Sequence, residues 1–175
     1  MKITLIILGV VVVIVAVVFL IGMMLPQKHS ASRTARYRQK PQAIFDAIMD
    51  WRNYPGWRSD LKSVRERAGA AGHVSWVEVD SMGERPIEIV ESDPPRRIVG
   101  LIADPDHKLF YGGTWTYDIK PTSDGCDLTI TEDGEVYPAL FRFMARFIFG
   151  YTGTMEAYHK ALSKKFGQEV QFVEG

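Results

Sequence analysis

From Ile3 to Leu25 the chain carries no charged residue, and this run constrains its fold more than anything that follows. As a helix rising 1.5 Å per residue it would reach ~34 Å, slightly more than the hydrocarbon thickness of a bilayer. Lipid offers no partner to a backbone amide, so a run of this kind must satisfy its own hydrogen bonds as one helix. The expected organisation is a transmembrane anchor over residues 1–27 and a domain over residues 28–175, held at a membrane surface.

The competing reading is a cleaved secretory signal. Signals carry a shorter apolar region, about 7–15 residues, before a small-x-small cleavage site. Here the run is longer and ends in Met23-Met24-Leu25-Pro26. The stretch His29-Ser30-Ala31-Ser32 could be cut, but it lies late and follows Lys28. An uncleaved anchor is therefore expected. Gly9, Ala16 and Gly22 lack the small-xxx-small spacing of a helix-packing motif. Lys2 precedes the run, whereas Lys28, Arg33, Arg36, Arg38 and Lys40 follow it. The positive-inside rule then puts the domain in the cytoplasm.

The length beyond the anchor suits one domain around one core. Formal net charge is zero, which gives no electrostatic case for nucleic acid. Cys126 is the single cysteine, so no intramolecular disulfide can form. It reads as a small packing residue rather than a nucleophile.

Periodicity organises the rest. Residues 32–39 alternate as a strand, and Pro41 then opens a helix at a first-turn position, with Ile44, Phe45, Ile48 and Met49 as its apolar stripe. A second short helix is expected near Pro55. Strands are expected over 61–68, 74–80, 86–91, 97–103, 114–120 and 128–133, separated by glycine- and proline-bearing turns. After Pro138 the period lengthens. Phe141, Met144, Ile148, Met155, Leu162 and Phe166 follow steps of three and four or their multiples, which predicts one C-terminal helix of about 30 residues. A sheet served by a single long helix has to curl around it. The expected class is α+β.

The chain resembles a known superfamily at Pro41-Gln42-Ala43-Ile44-Phe45, at Tyr54-Pro55-Gly56-Trp57 and at Glu91-Ser92-Asp93-Pro94-Pro95-Arg96. Gly113-Thr114-Trp115-Thr116-Tyr117 and Leu128-Thr129-Ile130-Thr131-Glu132 continue the likeness. It is similar to the SRPBCC, or START-like, superfamily, in its polyketide cyclase/dehydrase and lipid-transport branch. The resemblance covers nearly all of residues 32–168 and rests on order and spacing. It implies a helix-grip fold: a curled antiparallel sheet around a long C-terminal helix, with two short helices after the first strand. It also implies an apolar cavity between sheet and helix that takes lipids, sterols, quinones or polyketides. The transmembrane helix lies outside the family pattern, and the family has no shared catalytic motif to carry over.

Strand parity nominates Trp76, Ile87, Ile89, Trp115, Tyr117, Leu128 and Ile130 as facing the helix, with Trp57 near one end. They could line a cavity or simply fill a core. Gly150 and Gly153 each cost about 1 kcal/mol in a helix interior, so a kink, a ligand beneath that turn or close helix–sheet packing would explain them. Glu78 and Glu132 share parity with Trp76 and Ile130. Turned inward, they are weak candidates for acid–base chemistry with Tyr117; at strand ends they would meet water or an arginine. His29, His73, His107 and His159 have no metal-ligand spacing with one another, with Cys126 or with a carboxylate, so no metal and no cofactor is expected.

Residues 140–149 are apolar in every direction, with two arginines among them. Phe143, Phe147 and Phe149 could touch a membrane, with Arg142 and Arg146 at the headgroups. They could also cover a neighbouring helix or a partner chain. Three functional classes follow from these observations. The leading one is a membrane-anchored domain binding an apolar, lipid-like small molecule without turning it over. The second is an enzyme of the cyclase/dehydrase kind, and the third an interaction module with a solid interior.

Overall fold

The computed structural model describes residues 2–106 and 108–173. The expectation on His107 lies outside the described residues. A 23-residue helix, α1 (Lys2–Met24), opens the chain and is long and apolar enough to cross a membrane. Three residues later comes β1 (Lys28–Tyr37), followed by α2 (Pro41–Met49) and a 3-10 turn (Trp51–Gly56). The meander β2 (Ser63–Ala68), β3 (Val74–Val79), β4 (Glu84–Asp93), β5 (Arg97–Ile102), β6 (Tyr111–Thr122) and β7 (Gly125–Val136) follows. Helix α3 (Ala139–Met144) runs into a π turn (Ala145–Phe149), then come α4 (Gly153–Lys165) and a short β8 (Gln171–Val173).

The eight strands form one antiparallel sheet in the order β2-β3-β4-β5-β6-β7-β1-β8. The α+β helix-grip architecture is the expected one, two short helices after β1 included. Opposed residues share a face of a sheet, so register fixes which side chains look inward. Leu128 stands opposite Ile119 and Ala35, and Ile130 opposite Tyr117. Trp76 stands opposite Ile87, and Ile89 opposite Gly100. These rows meet α2 and α4 in a core built on Tyr37, Ile44, Ile48, Ile98, Met155 and Leu162. Cys126 is buried in the same core, where loss of solvation pushes its thiol up to about 11. It packs, as expected of a small side chain, and does not ionise near neutral pH.

The C-terminal helix differs from expectation. It breaks at Gly150, whose φ of +71° falls in the left-handed region that only glycine enters cheaply. The 3- and 4-residue steps persist across the break because both halves keep an apolar face, so periodicity alone could not reveal it. Strand β1 begins at Lys28 rather than Ser32, since Lys28, His29 and Ser30 pair with Glu135, Gly134 and Asp133. Strand β8 was not anticipated; its three residues beside Thr34–Arg36 are too few to alternate legibly.

Gly22 did not look like a packing glycine, yet it is the buried residue of α1. A Cβ at this position would run into the Ala139 carbonyl, so the glycine is what lets α3 approach α1. Arg142 Nη1 donates to the Leu25 carbonyl at 3.0 Å, taking up one of the carbonyls that the end of α1 leaves open.

Candidate functional site

The concave face of the sheet, the 3-10 turn and α4 meet at a closely packed aromatic cluster, the region that a ligand chamber of this fold would occupy. Met155, Tyr158, His159, Leu162 and Ser163 form the buried face of α4, at the helical spacing that points them together at the sheet. Tyr158 meets Trp57 edge-to-face with ring centroids 5.5 Å apart, Trp115 at 6.0 Å and Tyr117 at 5.7 Å. Tyr54 stands edge-on to Trp57 at 5.2 Å and to Trp76 at 6.1 Å, and Trp51 stacks on the far side of Trp76 at 5.6 Å. Trp57, Trp115 and Tyr117 keep part of their surface accessible.

One indole donor in this cluster has no acceptor. Trp57 Nε1 is buried and makes no hydrogen bond, and the buried Tyr158 hydroxyl has only that of Tyr54 to turn to. The neighbouring Tyr54 hydroxyl already donates to the Ile48 carbonyl at 2.6 Å. Burial drives the hydroxyls of Tyr54, Tyr117 and Tyr158 well above their ordinary pKa, so all three stay protonated.

At the end of the chamber nearest α1 lies a buried ionic chain. Glu78 Oε1 accepts from Arg58 Nη1 at 2.9 Å and from Trp76 Nε1 at 3.3 Å, and Oε2 accepts from Arg85 Nη2 at 2.8 Å. Asp60 takes the other side of Arg58, at 2.7 Å from Nη2. Burial alone would lower the Arg58 pKa, but Glu78 and Asp60 more than offset it, so the guanidinium stays charged. Glu78 therefore points inward and also meets arginine, an outcome that joins the two readings of the sequence. Both of its oxygens are occupied by guanidinium donors.

Glu132 also points inward. It accepts from Trp115 Nε1 at 2.8 Å and lies 3.1 Å from His29 Nε2. The His29 ring stacks on Tyr151 at 4.0 Å, just past the helix break. Gly134 makes room for that ring, because a Cβ there would strike it.

Of the residues nominated from sequence, Trp57, Trp76, Ile89, Trp115, Tyr117 and Ile130 come together around the chamber. Gly150 and Gly153 do not. Both are exposed, and a Cβ at either would meet open space, so they serve the break and not the chamber wall. Arg142 and Phe143 are half-buried near α1, whereas Arg146, Phe147 and Phe149 are exposed. Sequence reasoning passed over Tyr158, although it lies three residues after Met155 on the same apolar stripe. Arg58 and Arg85 carried no signal, since pairing with Glu78 depends on a turn and a strand register. Two concavities among the described residues lie outside the chamber. One of ≈ 350 Å³ runs between Trp51 and His73; an open one of ≈ 600 Å³ is bounded by Leu109, Phe110 and Pro138.

With this geometry in place, the comparison with known proteins is decisive on family. The profile of polyketide cyclase / dehydrase and lipid transport proteins matches residues 28–165. The chain belongs to that family. Solved structures agree on the fold. A START superfamily protein from Mycobacterium smegmatis is 17% identical, with a TM-score of 0.60 over 78% of this chain and 96% of that one. Norcoclaurine synthase from Thalictrum flavumn, a point mutant in complex with a transition-state analogue, is 14% identical with a TM-score of 0.61, over 79% of this chain and 93% of that one. The di-domain aromatase/cyclase StfQ of the steffimycin biosynthetic pathway is 13% identical with a TM-score of 0.60, over 81% of this chain and 52% of that one. Among curated proteins no sequence matches.

Proposed function

We propose that this family member binds an apolar small molecule carrying a hydrogen-bond acceptor, between the sheet and α4, at the surface of a membrane that α1 anchors it to. The observation that carries this reading is the orphaned donor Trp57 Nε1, on a ring that adjoins Tyr158. A buried donor left unsatisfied costs about 1–3 kcal/mol, and a carbonyl, quinone or ester oxygen admitted by a shift of these rings would recover it. The aromatic walls match an apolar body, as in the lipids, quinones and polyketides the fold is suited to.

Binding without turnover fits the protonation states. Three tyrosine hydroxyls are locked as donors and Glu78 is neutralised by Arg58 and Arg85. The ionic chain stands at the strand ends nearest α1, with Trp115 and Glu132 further in along β6 and β7, so a ligand entering there would come from the bilayer side. Retention of α1 is supported by its packing on α3, since cleavage would strip Gly22 from Ala139 and Leu25 from Arg142. Residues 1–27 then act as anchor and residues 28–175 as binding domain, on the cytoplasmic face by the charge asymmetry.

A second reading, cyclisation or dehydration of a polyketide-like substrate, is favoured by the Glu132–His29 pair, the chamber's one carboxylate paired with a titratable imidazole rather than a guanidinium. Native mass spectrometry of the full chain released from membranes in mild detergent separates the two. A stoichiometric apolar adduct, unchanged on incubation and lost in Tyr158→Phe, supports binding. An adduct converted to a species lighter by water, with conversion lost in Glu132→Gln, supports the enzyme. A chamber that retains nothing and takes up no apolar probe defeats both.

A further inference from the structure

The chamber leaves one feature unused. Phe147, Ile148 and Phe149 are 59%, 63% and 64% exposed in a row, beside exposed Arg146. Both ends of the segment bearing them are pinned. Ala139 sits against Gly22, and Arg142 is bonded to Leu25, at the domain end of α1. Tyr151 stacks on His29, the second residue of β1. The π turn therefore bulges beside the point where α1 leaves the domain. Apolar side chains on such a bulge cannot fold back, because α3 already spends its inner surface on α1 and on Phe110, which stacks on Phe141 at 4.6 Å.

We propose that the occupant of this patch is the leaflet that α1 enters: Phe147, Ile148 and Phe149 insert at the headgroup–acyl boundary, and Arg146 meets lipid phosphate. A short apolar element with a flanking cation suits that boundary, and its proximity to a spanning helix supplies the local concentration that three side chains alone would lack. The inference rests on α1 being a retained anchor, and the test keeps the two apart.

The full chain is reconstituted in phosphatidylcholine–phosphatidylglycerol vesicles after a single cysteine is introduced and labelled with an environment-sensitive fluorophore. Cys126 is buried and its thiol is protonated, so it stays unlabelled. Phe149→Cys reports the patch, Val13→Cys reports the anchor, and Ser123→Cys, on the turn at the opposite end of the sheet, reports water. The expected result is blue-shifted emission and strong quenching by spin-labelled acyl chains at positions 149 and 13, and neither at 123. Quenching at 13 with water-like emission at 149 overturns the proposal and leaves the anchor standing. No quenching at 13 removes the anchor and the proposal with it. A probe at 149 that is shielded from aqueous iodide yet untouched by the lipid spin label overturns the proposal in favour of a protein partner. Charge reversal at Arg146→Glu should lower the quenching at 149 in anionic vesicles and leave it unchanged at 13.

Discussion

Tyr37 and His159 join the first strand to the last helix in the buried core, with Tyr37 Oη 2.9 Å from His159 Nδ1 and 3.3 Å from the His159 carbonyl oxygen. His159 Nε2 donates to the Arg33 carbonyl at 3.2 Å, so Nδ1 is the acceptor and the ring is neutral. Burial is the main reason its pKa falls to about 4. The unfolded chain, with an ordinary imidazole, takes up this proton first as pH drops. The contribution is therefore complete above pH 6.5 and is lost between there and pH 4. By pH 5 the loss should be about 2 kcal/mol. Thermal unfolding in mild detergent at pH 7 and pH 5 measures it, and His159→Gln should flatten that dependence.

Glu78 compensates the buried guanidinium of Arg58 and the half-buried one of Arg85 at once. Glu78→Gln should cost about 3–5 kcal/mol, the usual penalty for stranding a buried charge. Replacing the carboxylate together with its deepest partner, Glu78→Leu with Arg58→Met, should restore much of that stability. Denaturant midpoints of the single and double variants decide between a charge effect and a loss of packing.

Tyr158→Phe makes an opposite prediction. Its hydroxyl makes no close hydrogen bond, so in delipidated protein the variant should be about as stable as the parent. Retention of an apolar ligand should fall in the same variant. A clear loss of stability without ligand would mean the hydroxyl is satisfied.

Gly22→Leu should push α3 away from α1, whereas Gly9→Leu, with open space around its Cβ, should do nothing. Trypsin cleavage at Arg142 reads the difference. The parent and Gly9→Leu should be cut slowly there and Gly22→Leu quickly.

Protein extracted from membranes should have the intact mass of 19.8 kDa, less the initiator methionine at most. A product beginning between His29 and Arg33 would identify α1 as a signal and place the domain outside the cytoplasm.

How much of this was legible beforehand depends on the range of the interaction. Trp76, Trp115, Tyr117 and Ile130 were readable as inward-facing because a strand alternates every two residues, whatever it pairs with. The two halves of the C-terminal helix were readable as one because an apolar stripe says nothing about a φ angle. Glu78 could be placed on the inner face, but not given its partners. Arg85 reaches it only through the β3–β4 register and Arg58 only through the turn after α2. The packing of Gly22 on Ala139 joins positions more than a hundred residues apart, and no local pattern encodes such a pair.

Only Leu25, Pro26 and Gln27 separate α1 from β1, and even these are tied down. Leu25 N–H donates to the Ile21 carbonyl and the Gln27 carbonyl accepts from Val136. The junction has no slack, so on the anchored reading α1 acts as a lever arm on the sheet. A 23-residue apolar helix tilts further in a thin bilayer than in a thick one. On that reading any change of tilt would rotate the domain relative to the headgroups, and membrane thickness would become a mechanical input to the proposed site.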